Sequence, residues 1–163
     1  MTKRLVNTFD AAKGFLVTPS GRTLFLLRSS AFEGQDGPHW DIPGGIIRPG
    51  ASSLQGLSQE IREETGLVVP PFGQFLTHQA IELDFLPQNV ASDVPDLVRY
   101  PDGGMRVDRR SFIVPVRYTS AVTLGDEHQT AAWTTLPYAL ENFNMGRYLR
   151  KEVEAAQTAL AQV

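Results

Sequence analysis

The sequence predicts an α/β fold, with one mixed β-sheet carrying helices on both faces. Three observations predict it. β-prone apolar runs stand at Lys13–Pro19 and Thr23–Arg28, and again at Phe72–Phe85 and Ser111–Tyr118. Between these two groups lies a capped helical segment, from Ser52 to Gly66. Late in the chain, Leu149, Val153, Ala156, Leu160 and Val163 recur at helical spacing. The chain has 163 residues, enough for one domain over 1–163 with a proper core.

Taken in order, the first two runs read as a hairpin, because Pro19-Ser20-Gly21 between them is turn chemistry. Arg28 leads into a polar loop, Ser29 to His39, which serves as a surface connection or as one wall of a pocket. Trp40, Asp41 and Ile42 run into Pro43-Gly44-Gly45, and Trp40 is read as a packing residue. Adjacent glycines let the backbone bend and let a ligand approach it. Ser52 is a helix N-cap and Gln55 completes a capping box. Leu54, Leu57 and Ile61 then fall on one helical face, with Glu60, Glu63 and Glu64 on a neighbouring arc. Gly66 ends the helix.

Beyond the helix, Leu67–Val69 and Phe72–Phe85 read as strands broken at Pro70-Pro71, and His78 in the second is read as structural. Residues 87–110 have the composition of an insertion. Pro101 to Gly104 is a turn signal between Leu97–Tyr100 and Met105–Asp108, which predicts a small projecting hairpin. Arg99, Arg106, Arg109 and Arg110 cluster around it. Such arginines suit bidentate phosphate contacts; a solvated hairpin or a subunit contact within a homodimer is the other reading. Ser111–Tyr118 is a strand whose Pro115 argues for an edge or a bulge. A polar loop from Thr119 to Thr130 carries Asp126, Glu127 and His128 and leads to Trp133. Thr135–Asn144 starts a helix, with Pro137 in its first turn. In the last helix Lys151, Glu152 and Glu154 fall off the apolar stripe.

Composition excludes several chemistries. There is no cysteine, so no disulfide, thiolate zinc site or cysteine nucleophile exists. The net charge of −3 argues against a general nucleic-acid surface. No apolar run is long enough to span a membrane, and the first residues lack the apolar core of a signal peptide, so a cytoplasmic location is expected. Three glutamates on one helical arc repel one another. A solvated acidic face tolerates that; a hard divalent ion such as Mg²⁺ or Mn²⁺ removes it.

The stretch Pro43–Leu67 resembles the Nudix box, G-x5-E-x7-R-E-U-x-E-E-x-G-U, with U a bulky aliphatic residue. Gly45, Glu60, Ile61, Glu63, Glu64, Gly66 and Leu67 match in register, whereas Ala51 and Gln59 replace the first Glu and the Arg. Those two side chains commonly pair in the family, and here both are missing together. The resemblance implies an α/β/α sandwich, with the box as loop–helix–loop. It implies metal-assisted hydrolysis of a phosphoric anhydride in a nucleotide-type substrate, with Mg²⁺ or Mn²⁺ as cofactor. Glu60 and Glu64 would be ligands, Glu63 a third ligand or a general base, and the Gly44 carbonyl a further ligand. Glu127 would bind metal or orient water, as acidic residues in the last loop do in some members. Arg28, Arg106 and Arg110 are candidates for the substrate's phosphates. The substrate markers of the ADP-ribose, dinucleoside polyphosphate and NADH subgroups are absent. The expectation is therefore a nucleoside diphosphate linked to another group, or a nucleoside triphosphate. A nucleotide-binding module without turnover is the alternative, favoured by Ala51 and Gln59. An acidic helix in an unrelated interaction domain is a third reading.

Overall fold

The computed structural model describes residues 6–28, 39–86 and 100–162. One mixed sheet holds every described strand: β1 (Val6–Val17), β2 (Arg22–Arg28), β3 (Trp40–Asp41), β4 (Gly44–Ile46), β5 (Gln74–Leu83), β6 (Gly104–Pro115) and β7 (His128–Thr135). Three helices complete the described residues: α1 (Ser53–Thr65), α2 (Leu136–Asn142) and α3 (Arg147–Ala161). The strand order is β3-β2-β1-β6-β5, with β4 also on β1 and β7 also on β2. β1 and β6 run parallel from Val6↔Gly104 to Val17↔Pro115, and the other pairs are antiparallel.

Alternation along β1 and β6 divides the core into two layers. Ala12, Leu16, Leu24, Leu26, Phe112 and Val114 pack under α1 through Leu57 and Ile61. Phe15, Val17, Phe25 and Ile113 pack under α2 and α3 through Leu136, Ala139, Leu149, Val153 and Ala156. Helices therefore cover both faces, as the pattern predicts. None of the described helices is long and apolar enough to cross a membrane.

The turn after β1 follows its sequence: Thr18 N–H donates to the Arg22 carbonyl at 2.9 Å, and Gly21 takes φ +84°. Only Val17↔Thr23 pairs β1 with β2; β2 then pairs along its length with β7. Trp40 packs as expected, its ring stacked 4.0 Å from Phe143. The last two helices begin and turn as the sequence indicates, with Thr135 capping α2.

Three expectations need correction. Leu67–Val69 forms no strand; Pro70 and Pro71 follow it without N–H donors, and Val69 is instead buried beneath α1. Met105–Asp108 does not project. It lies inside the sheet between β1 and β5, because Met105 and Val107 bury against Ala11, Phe9 and Ile81. The predicted turn before it is present, with Gly103 N–H on the Tyr100 carbonyl at 3.0 Å. The other half of that hairpin, Leu97–Arg99, lies outside the described residues. Pro115 marks neither an edge strand nor a bulge: β6 is interior, and Pro115 is its last residue, beyond the end of β5. Glu152 falls off the apolar stripe, as read, yet it is fully buried.

Candidate active site

The site forms where α1 crosses the Gly44–Gly45 strand. Helix α1 starts as its capping box predicts. The Ser52 side chain accepts from Gln55 N–H at 3.2 Å, and the Gln55 side chain accepts from Ser52 N–H at 3.4 Å. It ends at Gly66 in the left-handed conformation, φ +73°. Those two ends fix which face meets the sheet. Leu57 and Ile61 are buried, and one turn of helix carries Glu60 and Glu64 onto β4.

Gly44 is obligatory here. Its φ is +136°, and a Cβ would stand 2.0 Å from the Ala12 carbonyl oxygen. Its N–H donates to Glu64 Oε1 at 2.9 Å. Gly45 makes room for Glu60, since a Cβ there would come within 2.9 Å of Glu60 Oε2. The glycine pair thus seats two carboxylates directly on backbone. The loop after it is anchored at its first residue, and the side chain in place of the box arginine bonds along α1. Ile47 N–H donates to the Asp10 carbonyl at 2.8 Å, and Gln59 donates instead to Glu63 at 3.1 Å.

Glu64, Glu127 and His128 each present a ligand atom, all within 4.8 Å of one another. His128 Nε2 lies 3.6 Å from Glu64 Oε2. Burial pushes the Glu64 carboxyl up to about 8, and burial with the Glu63 charge pushes Glu60 up to about 6. Burial and the Lys13 charge pull the His128 imidazole down to about 4. At neutral pH, therefore, the Glu64–His128 contact is not an ion pair in the metal-free protein. Carboxyls held this reluctantly as anions gain from a nearby cation, and carboxylate oxygens with one imidazole nitrogen are a donor set for a divalent ion. The residues fit such an ion, with one exception: the Gly44 carbonyl accepts from Lys13 Nζ at 3.0 Å.

The expected residues separate on inspection. Gly44, Glu60, Glu64 and Glu127 come together, and Glu63 lies on the exposed side of α1. Arg28 stands opposite His128 in the β2–β7 register, and its buried Nε has no hydrogen-bond partner. Arg106 and Arg110 have carboxylate partners: Asp108 at 3.1 Å and Glu82 at 3.4 Å for the first, Asp10 at 2.8 Å for the second.

A buried charge array adjoins the site and escapes sequence reasoning. Lys13 Nζ bonds Asp41 Oδ2 at 3.0 Å, Arg109 Nη2 bonds Asp41 Oδ1 at 3.1 Å, and the Arg109 fork grips Glu152 at 2.8 and 2.6 Å. Burial opposes ionisation of Asp41, yet Lys13 and Arg109 hold its carboxyl well below the usual range. One signal was available: a lysine and an aspartate flanked by apolar residues in strands.

Comparison with known proteins places this geometry. The family model described as NUDIX domain matches residues 8–151. An octanoyltransferase of Myxococcus xanthus is 30% identical over 138 residues, covering 85% of this chain; the chain spans 33% of that relative's length. Similar solved structures include a MutT protein from Methanosarcina mazei, with 21% identity, TM-score 0.68, and 93% and 94% of the two chains covered. An E. coli dihydroneopterin triphosphate pyrophosphohydrolase matches with 18% identity and TM-score 0.62, over 89% of this chain and 92% of that one. A C. elegans Ap4A hydrolase matches with 19% identity and TM-score 0.59, over 95% and 99%. At these identities the solved structures show the fold, while the family model spans most of the chain including the glutamate helix. The chain belongs to the NUDIX-domain family.

Proposed function

We propose that this domain hydrolyses a phosphoric anhydride, in a nucleoside diphosphate linked to another group or in a nucleoside triphosphate, with Mg²⁺ or Mn²⁺. One observation carries the reading: Glu60, Glu64 and Glu127 converge beside the backbone of Gly44 and Gly45, with His128 among them. A diphosphate is polyanionic, so carboxylates meet it through a cation. When bound, that ion supplies charge neutralisation of the diphosphate and lowers the pKa of water. Family membership and the names of two fold relatives, a pyrophosphohydrolase and an Ap4A hydrolase, support the same class.

This chain's residues then divide the work. Glu60, Glu64 and Glu127 would hold the ion, and Gly44 N–H fixes Glu64 Oε1 so that its other oxygen is presented. Glu63 stands on the solvent side of the same helix, as a further ligand or as the base that takes a proton from water. Arg28, opposite His128 in the β2–β7 register, is the first candidate for a substrate phosphate. Arg106 and Arg110 rank behind it, because each already serves a carboxylate.

Ala51 and Gln59 favour a second reading, a module that binds a nucleotide without cleaving it. A coupled-phosphatase assay on nucleoside triphosphates, ADP-ribose, dinucleoside polyphosphates, NADH, coenzyme A and nucleotide sugars separates the two. Metal-dependent release from any member supports the hydrolase. No turnover by the folded protein on the whole panel, with a nucleotide raising its melting temperature, supports the module.

A further inference from the structure

Lys13 is an unusual residue for its place. It lies within the buried stretch Ala11–Val17 of β1, paired in register with Gly44. Its ammonium has three donors and three acceptors: Asp41 Oδ2 at 3.0 Å, the Gly44 carbonyl at 3.0 Å and the Ile42 carbonyl at 3.4 Å. The same residue, Gly44, donates through its N–H to Glu64. A positive charge is therefore fixed on the carbonyl of a residue whose N–H holds a proposed metal ligand.

We propose that Lys13 is a resident cation of this site, docked on the Gly44 carbonyl in competition with the divalent ion, and that it thereby sets the affinity for that ion. The inference rests on the metal-dependent reading above. A divalent ion that takes the Gly44 oxygen must displace the ammonium, and one that binds only the carboxylates must sit near a fixed positive charge. Both weaken binding in the wild type. Lys13 also has a place to withdraw to, because Asp41 remains as a partner after Gly44 is released. Arg109 occupies the other oxygen of Asp41, so that carboxylate stays in position. Lys13 is thus a positioning residue, acting on the ion and on the glycine backbone rather than on the reacting atoms.

A purely structural lysine would behave differently. Lys13, Asp41, Arg109 and Glu152 form a balanced array of two cations and two anions. Removing a structural lysine would lower stability and leave metal affinity alone. The test is a Mn²⁺ titration of the substrate-free protein, read by electron paramagnetic resonance, on wild type, Lys13→Met and Lys13→Arg. The expected result is Mn²⁺ binding at least about fivefold tighter in Lys13→Met, with Lys13→Arg close to wild type. Equal or weaker binding in Lys13→Met, while the wild type binds Mn²⁺, overturns this inference and leaves the hydrolase reading standing. Absence of Mn²⁺ binding in both proteins overturns the metal site itself, and this inference with it. If Lys13→Met does not fold, the wild type decides through the ¹⁵N-labelled Lys13 ammonium signal during a Mg²⁺ titration. A signal that moves with saturation supports displacement from Gly44, and an unmoved signal overturns it.

Discussion

Two carboxyls close to Gly44, those of Glu64 and Asp41, are driven in opposite directions by their surroundings. Asp41 has Lys13 and Arg109 against its two oxygens and stays ionised. Glu64 has a backbone N–H and a neutral imidazole, and burial lifts it to about 8. The first is saturated with cations; the second has capacity to accept one. The difference makes a pH prediction. Glu64 in the folded, metal-free protein binds its proton more tightly than in the unfolded chain, where its value is 4.5. Such a group costs nothing below the unfolded value and destabilises progressively as pH rises through the folded value. Between about pH 6.5 and 8.5 the melting temperature in EDTA should fall by roughly several degrees, and excess Mg²⁺ should reduce the fall. A flat EDTA profile would show that the carboxyl is not buried as described. At the same scale, Glu60→Gln or Glu64→Gln should lower turnover by about a hundredfold or more with the melting temperature retained. Wild-type rates in either variant would remove these residues from the site.

Helix α3 and strand β6 hold the strongest structural test among the elements. Arg109 on β6 reaches Glu152 on α3 through two hydrogen bonds, and Glu152 is fully buried. Removing one partner strands much of the other's charge, so Glu152→Ala should cost about 3 kcal/mol in urea unfolding. Exposed Glu154 on the same helix should cost under about 0.5 kcal/mol when changed to Ala. A Glu152→Ala loss as small as that of Glu154→Ala would contradict the buried pair. Helical periodicity alone placed Glu152 off the apolar stripe, and it does lie beside Val153 and Leu149. What the pattern could not contain is the arginine waiting on the sheet. Helix α1, by contrast, was fully legible, because its caps are local chemistry: Ser52, Gln55 and Gly66 act within a few residues. The array around Lys13 was not legible, since it joins β1, β3, β6 and α3 across long sequence separations. Met105–Asp108 failed for the same reason. A turn signal is local, whereas the parallel partner β1 is about a hundred residues away in sequence.

At the scale of the molecule, the sheet brings three distant pieces to one place. Strands β1 and β4 present Gly44 and Gly45, α1 drops Glu60 and Glu64 on them, and β7 delivers His128 with Glu127 just before it. The sandwich makes that meeting possible, because α1 is pinned by Leu57 and Ile61 to one layer of the core while α2 and α3 close the other. The box residues were readable in sequence, and Glu127 became a candidate through the resemblance of its loop to the last loop of the family. The closeness of His128 to Glu64 depends on β7 pairing with β2, which no local signal encodes. We propose above that this convergence is a metal-dependent site for phosphoric anhydrides. The most direct measurement is product release from the best nucleotide substrate, with and without Mg²⁺ or Mn²⁺, by wild type and by Glu64→Gln. Turnover is expected only with metal, with a loss of about a hundredfold or more in the variant. Turnover that survives EDTA, or that is unchanged in folded Glu64→Gln, would contradict the proposal.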